Sequence, residues 1–137
     1  MSDGERLYAA ALALVGTPFR AGGAHRATGV DCVGMVALAL RAVGRETGPL
    51  PLYRLRQTSL DSFAPVLARV GLREECKPIE PGDILALGPA AWQLHLAIAG
   101  DDDSIVHAHG GLLKVVHGPC PEDWVLHRIW RLTPSGD

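Results

Sequence analysis

The segment QLHLAIAGDDDSIVHAHGGLLKVVH, residues 93–117, holds three short runs divided by two turns. In QLHLAIA (93–99) the residues alternate: His95, Ala97 and Ala99 fall on one face, and Leu94, Leu96 and Ile98 on the other. That is the period of a strand. SIVHAH (104–109) and LLKVVH (112–117) read as two more strands. The connections GDDD (100–103) and GG (110–111) have hairpin length, so neighbouring strands run antiparallel. Working outward, PGDILAL (81–87) is a turn entering a strand, and WVLHRIWRL (124–132) is a strand after the meander.

Before Gly71 the period is helical. Ser2 and Glu5 make an S-x-x-E capping box, Leu7, Ala10, Ala11 and Leu14 follow at helical spacing, and Gly16 is placed to stop the helix. GTPFRAGGAHRATG (16–29), with its glycines and one proline, is expected to be loop. A second helix should start near Asp31 or Cys32 and end before Gly44. Val33, Met35, Val36, Ala37, Leu38, Ala39 and Leu40 leave it almost no polar face, so it should be buried on most sides. The segment 45–59 carries two prolines and reads as irregular. Phe63, Val66, Leu67 and Val70 then mark a third helix, with Ser62 as N-cap, Pro65 tolerable in the first turn and Gly71 as stop. Helices first and a meander afterwards predict an α+β fold: N-terminal helices packed on an antiparallel sheet of about five strands, in one domain over 1–137.

Composition narrows the function classes. The chain has 137 residues, 47% hydrophobic and 20% charged, with a formal net charge of −2. It is expected to be globular, and without a basic run neither nucleic acid nor a membrane surface is an expected partner. No stretch approaches the ~20 apolar residues needed to span a bilayer. The N-terminal segment has acids before its apolar part and lacks a basic n-region, so cytoplasmic synthesis without a signal peptide is expected. Cys32, Cys76 and Cys120 are odd in number and widely spaced, against a disulfide framework or paired CxxC zinc knuckles. The acidic run Asp101–Asp103 lacks calcium-loop spacing and reads as a solvated turn.

The chemistry-bearing candidate is Cys32. Unpaired cysteine is among the most buried residue types, so the plain alternative is a small core side chain. A thiol in the first helical turn, however, sits by unpaired N–H groups and the positive end of the helix dipole, which favour the thiolate. A cysteine nucleophile needs a base. His95 stands in a strand whose neighbours on the same face, Ala97 and Ala99, are small enough to let a helix end approach. His107, in the next strand, is placed to meet His95 side by side and orient it; His109 shares its face and is a rival. Three imidazoles are enough to hold zinc, but HExxH and CxxC are both missing, so neither a metal nor another cofactor is expected.

Taken in order, GTPFRAGG, TGVDCVGMV, PGDILAL, HLAIAG and IVHAHG resemble the motifs of the NlpC-type cell-wall peptidases, a papain-like cysteine peptidase family. The match spans residues 16–110, and its pieces are more specific as a set than singly. The resemblance implies a papain-like fold and hydrolysis of amide bonds in peptidoglycan stem peptides, often from D-γ-glutamate to diaminopimelate. By motif, Cys32 is the nucleophile, His95 the base and His107 the orienting residue. The family usually has tyrosine where this chain has Phe19, serine where it has Val33, and often tryptophan where it has Ala21. The tyrosine is associated with the oxyanion and substrate site and the serine with the peptide's amino end. Phe19, Asp31 and Val33 are thus the expected substrate-binding positions. Small members occur in phage tail gene clusters and gene transfer agents. The resemblance suggests that subgroup, the HRIWRL strand included, with tail-type proteins as partners and action at the cell wall within a phage-like particle. The competing readings are a papain-like amidase or acyltransferase, and a catalytically weak structural tail component.

Overall fold

Helix α1, Asp3–Leu12, begins as its sequence dictates. The Ser2 hydroxyl accepts the Glu5 N–H at 3.1 Å, and the Glu5 carboxylate accepts the Ser2 N–H at 3.4 Å. The computed structural model describes residues 1–48, 64–90 and 93–134. Leu7 and Ala11 face inward from α1. The helix stops at Leu12, ahead of the expected Leu14, and 13–16 form a turn. Gly16, with φ +92°, gives its N–H to the Val115 carbonyl at 2.9 Å, which takes the chain off the helical path.

The 16–29 segment is more ordered than a loop. Strands β1, Ala24–His25, and β2, Gly29–Val30, form a small antiparallel hairpin in it. Helix α2, Cys32–Ala42, follows directly and is buried along most of its length, as its missing polar face required. Helix α3, Ala64–Arg69, carries Pro65 in its first turn and turns Leu67 inward, with Val70 also buried just beyond its end. Ser62 and Phe63, expected at its start, lie outside the described residues.

Six strands make the main sheet: β3, Leu72–Glu75; β4, Ile84–Ala90; β5, Gln93–Ala99; β6, Ser104–His109; β7, Lys114–Pro119; and β8, Val125–Leu132. Their order is β3-β8-β4-β5-β6-β7, all neighbours antiparallel. The strand missing from the sequence reading is β3. LREE has no apolar alternation, because it is an edge strand on β8, where Arg73 and Glu75 pair at 2.8 Å and Arg128 reaches Glu74 at 3.1 Å. β7 starts at Lys114, since Leu112 and Leu113 belong to the turn and Leu113 has φ +59°. β8 starts at Val125, which leaves Trp124 in the preceding turn.

The sheet has apolar residues on both faces. On one, Leu94, Leu96, Ile98, Val106, Ala108 and Trp130 join Leu7, Met35, Val36 and Leu40 from α1 and α2. On the other, Leu85, Leu87, Ala97, Ala99, Ile105 and Ile129 are covered by Cys120, Trp124 and Leu126. An ion pair pins β8 to the start of β4: the Arg131 guanidinium donates to both Asp83 carboxylate oxygens at 2.8 and 2.9 Å, and Asp83 is 1% exposed. Among the described residues, no helix is long and apolar enough to cross a membrane.

Candidate active site

Cys32 is the first residue of α2 and is 1% exposed. What places it there is Asp31. This N-cap accepts the Gly34 N–H on Oδ1 at 2.8 Å and the Gly22 N–H on Oδ2 at 3.0 Å, so one carboxylate ties the 22–23 turn to the helix mouth. The turn lies so close that a Cβ on Gly34 would run into the Gly23 carbonyl, which explains the glycine two residues after the cysteine. Burial raises the Asp31 carboxyl above its usual range, against the lowering effect of its backbone hydrogen bonds. Asp31 is 3% exposed, and each of its carboxylate oxygens accepts a main-chain N–H. Its visible task is to cap the helix.

Val33 and Phe19 belong with Cys32. Val33 is buried in the same apolar cluster and Phe19, half-buried, packs against it. Phe19 is anchored by its N–H on the Leu113 carbonyl at 2.8 Å and by a parallel bridge to Val30. The two positions where the family pattern has hydroxyls are therefore apolar packing positions in this chain.

The histidines come from β5 and β6, the strands on which α2 rests. Leu94 and Leu96, on either side of His95, lie in the cluster that contains Cys32. Ala97 and Ala99 do not make room for the helix as expected: they face the opposite side, under Trp124. The strands β5 and β6 pair through Ile98 with Val106 and Ala99 with Ile105, next to their turn. His95 and His107 lie further along these two strands, where both rings meet Trp124.

Two of the three imidazoles meet one indole, and the third lies beside His107. His95 stacks on Trp124 with the rings 9° from parallel and centroids 5.4 Å apart, while His107 meets Trp124 edge-on at 75° and 5.5 Å. His107 and His109 are 5.5 Å apart between centroids. Burial lowers the pKa of His95, helped by the nearby His109. His107, 7% exposed, falls to about 4 through burial first and then His109 and His95. Both rings are thus biased to the neutral form. His109 Nδ1 accepts the Leu112 N–H at 3.0 Å, so its neutral form carries the proton on Nε2.

Among the described residues no group of three His, Cys, Asp or Glu side chains is arranged to hold a metal ion. His117, outside the cluster, lies 3.1 Å from both the Tyr8 hydroxyl and Ser104 Oγ and ties α1 to the sheet. None of the three cysteines forms a disulfide. The sequence reading missed Trp124; its only signal there was a large aromatic beside the start of a strand.

The fold has counterparts among solved structures. The NlpC/p60 domain of the peptidoglycan hydrolase SagA matches with a TM-score of 0.59 and 25% identity, over 85% of this chain and 88% of that one. The peptidoglycan hydrolase RipB from Mycobacterium tuberculosis gives 0.65 at 22% identity, over 95% of this chain and 64% of its own. NlpC1 from Trichomonas vaginalis gives 0.68 at 17%, over 95% and 45%. This chain spans less than two thirds of the latter two. No family model matches the sequence, and no curated protein does. The architecture is that of NlpC/p60 domains: α+β and papain-like, with N-terminal helices on a six-stranded antiparallel sheet.

Proposed function

We propose that the protein is a cysteine peptidase of the NlpC type that hydrolyses amide bonds in the stem peptides of peptidoglycan. The observation that carries this reading is a thiol at a capped helix mouth on a sheet whose neighbouring strands gather largely buried, neutral imidazoles. The matches to peptidoglycan hydrolase domains support it.

In this mechanism the Cys32 proton passes to His95, and the thiolate, favoured by the first-turn N–H groups, attacks the amide carbonyl. The C–S bond forms, the oxygen takes the electron pair, and the Cys32 N–H helps hold it. Collapse breaks the C–N bond as His95 gives its proton to the leaving amine. His95 then takes a proton from water, the hydroxide attacks the thioester, and the Cys32 thiol is regained with a free carboxylate product. His107 is the orienting group that fits. To fix His95 it must accept an N–H, and a neutral His107 keeps a ring lone pair for that. His109 has committed its Nδ1 lone pair to Leu112.

The test is digestion of purified peptidoglycan by wild type and by Cys32→Ala, with new amino ends quantified. Loss of release in the variant supports the reading; equal release by both, or none by wild type, refutes it. Cys32 is so well covered that a thiol probe is a sharp second test: a nucleophile reacts faster than exposed Cys76, a structural core thiol more slowly. Slow labelling would favour the structural tail component, which the apolar Phe19 and Val33 motivate. Mass spectrometry of the products separates peptidase from amidase or acyltransferase. At finer grain we place the cut at the D-γ-glutamyl–diaminopimelate bond and the protein in a phage tail or gene transfer agent particle that carries it to the wall. Product masses and co-purification with tail-type proteins check these points.

A further inference from the structure

Trp124 touches both imidazoles of the proposed mechanism and has no part in it so far. It sits in the turn before β8, with its N–H on the Pro121 carbonyl at 3.1 Å. From there its indole lies flat on His95 and stands at 75° to His107. A histidine's second side-chain torsion is broad, so strand geometry fixes where the His95 ring starts but not its plane. A parallel partner does fix the plane. It also occupies the ring's face alone, and both nitrogens lie in the ring edge, where the chemistry takes place.

We propose that Trp124 is a positioning residue for His95: its indole face holds the imidazole plane and stabilises the imidazolium that forms when Cys32 gives up its proton. The proposal rests on the reading of Cys32 and His95 as nucleophile and base. The face of an indole is the strongest aromatic partner for a cation, with phenyl weaker and an aliphatic side chain without effect. His107 and His109 from β6 disfavour a second positive charge, and the Asp31 carboxylate at the mouth of α2 is taken up by Gly22 and Gly34. Truncating Trp124 should not breach a sealed core. The indole is half-buried and already forms one wall of an open cavity of about 660 Å³, together with Leu85, Leu87, Ile105 and Cys120.

The experiment has two arms. In the first, Trp124→Phe and Trp124→Leu are assayed for peptidoglycan hydrolysis beside wild type and Cys32→Ala. Trp124→Leu is expected to lose about tenfold or more in kcat with KM changed by less than about threefold, and Trp124→Phe to recover most of it. In the second, the His95 ring is titrated by NMR in a Cys32→Ala background, with and without the Trp124 substitutions. Its midpoint should fall by about half a pH unit or more in Trp124→Leu, and by less in Trp124→Phe. A midpoint unmoved or raised in both variants, or an unchanged kcat in Trp124→Leu, overturns the proposal. If Trp124→Leu does not fold, the Trp124→Phe midpoint decides alone: lower than the parent supports it, equal to the parent refutes it. Hydrolysis that survives Cys32→Ala sinks the peptidase reading instead, independently of either Trp124 result.

Discussion

His107 should make the protein's stability fall with pH in a way that one substitution removes. The ring is 7% exposed, and its pKa drops from 6.5 to about 4 on folding. Above pH 6.5 it is neutral in both states and stability does not depend on it. Below 6.5 the unfolded chain binds a proton that the folded chain refuses, so stability is lost as pH falls, until about 4, where the folded state binds it too. At about 1.36 kcal/mol per pH unit, the loss across that window is about 3 kcal/mol. His95, also lowered, adds to the slope, whereas Asp31, raised by burial, works against it in the carboxylate range. The clean readout is therefore a difference. Urea unfolding followed by tryptophan fluorescence at pH 7, 6, 5 and 4 should show the wild type losing about 1 kcal/mol per pH unit more than His107→Asn. Whatever the variant's stability at pH 7, its pH slope is what matters. Parallel slopes for the two proteins would show that His107 charges as easily folded as unfolded, and the buried neutral orienting residue would be lost with that result.

Other substitutions read the scaffold around the site. Asp31→Asn keeps an acceptor for Gly34 but turns an amide N–H towards Gly22 or loses that bond; it should cost about 1–2 kcal/mol of stability in chemical denaturation and slow alkylation of Cys32. Gly34→Ala drives a methyl into the Gly23 carbonyl; a loss of about 2 kcal/mol or more is expected as a lowered Tm, and an unchanged Tm would mean the 22–23 turn is not packed on α2 as described. Arg131→Met strands the buried Asp83 carboxylate and should cost about 3 kcal/mol at neutral pH, an effect that 1 M salt leaves largely intact because Asp83 is out of water.

The legible part of the fold was local. The Ser2–Glu5 cap, the all-apolar face of α2 and the alternation of β5 each rest on residues within a few positions of one another, and each stands where its pattern put it. The exceptions have long-range causes. β3 forms because β8 offers it an edge and charged partners, and α1 ends early because β7 takes the Gly16 N–H. Around the proposed site, residue type and spacing marked Cys32 as a helix-start thiol and His95, His107 and His109 as strand histidines, and each stands on its expected element.

By itself the sequence determined that a cysteine would start a buried helix and that histidines would stand on adjacent antiparallel strands. Capping and alternation are short-range rules that need no knowledge of the rest of the chain. Only the tertiary structure decided which side of the sheet each residue serves. Ala97 and Ala99 went under Trp124 instead of the helix, His95 and His107 met at that same indole, and Asp31 bound the N–H groups of both Gly22 and Gly34. Those outcomes depend on strand register, on where a ladder stops and on which loop folds over which face. Such relations join residues tens of positions apart, and no periodicity within a single segment records them.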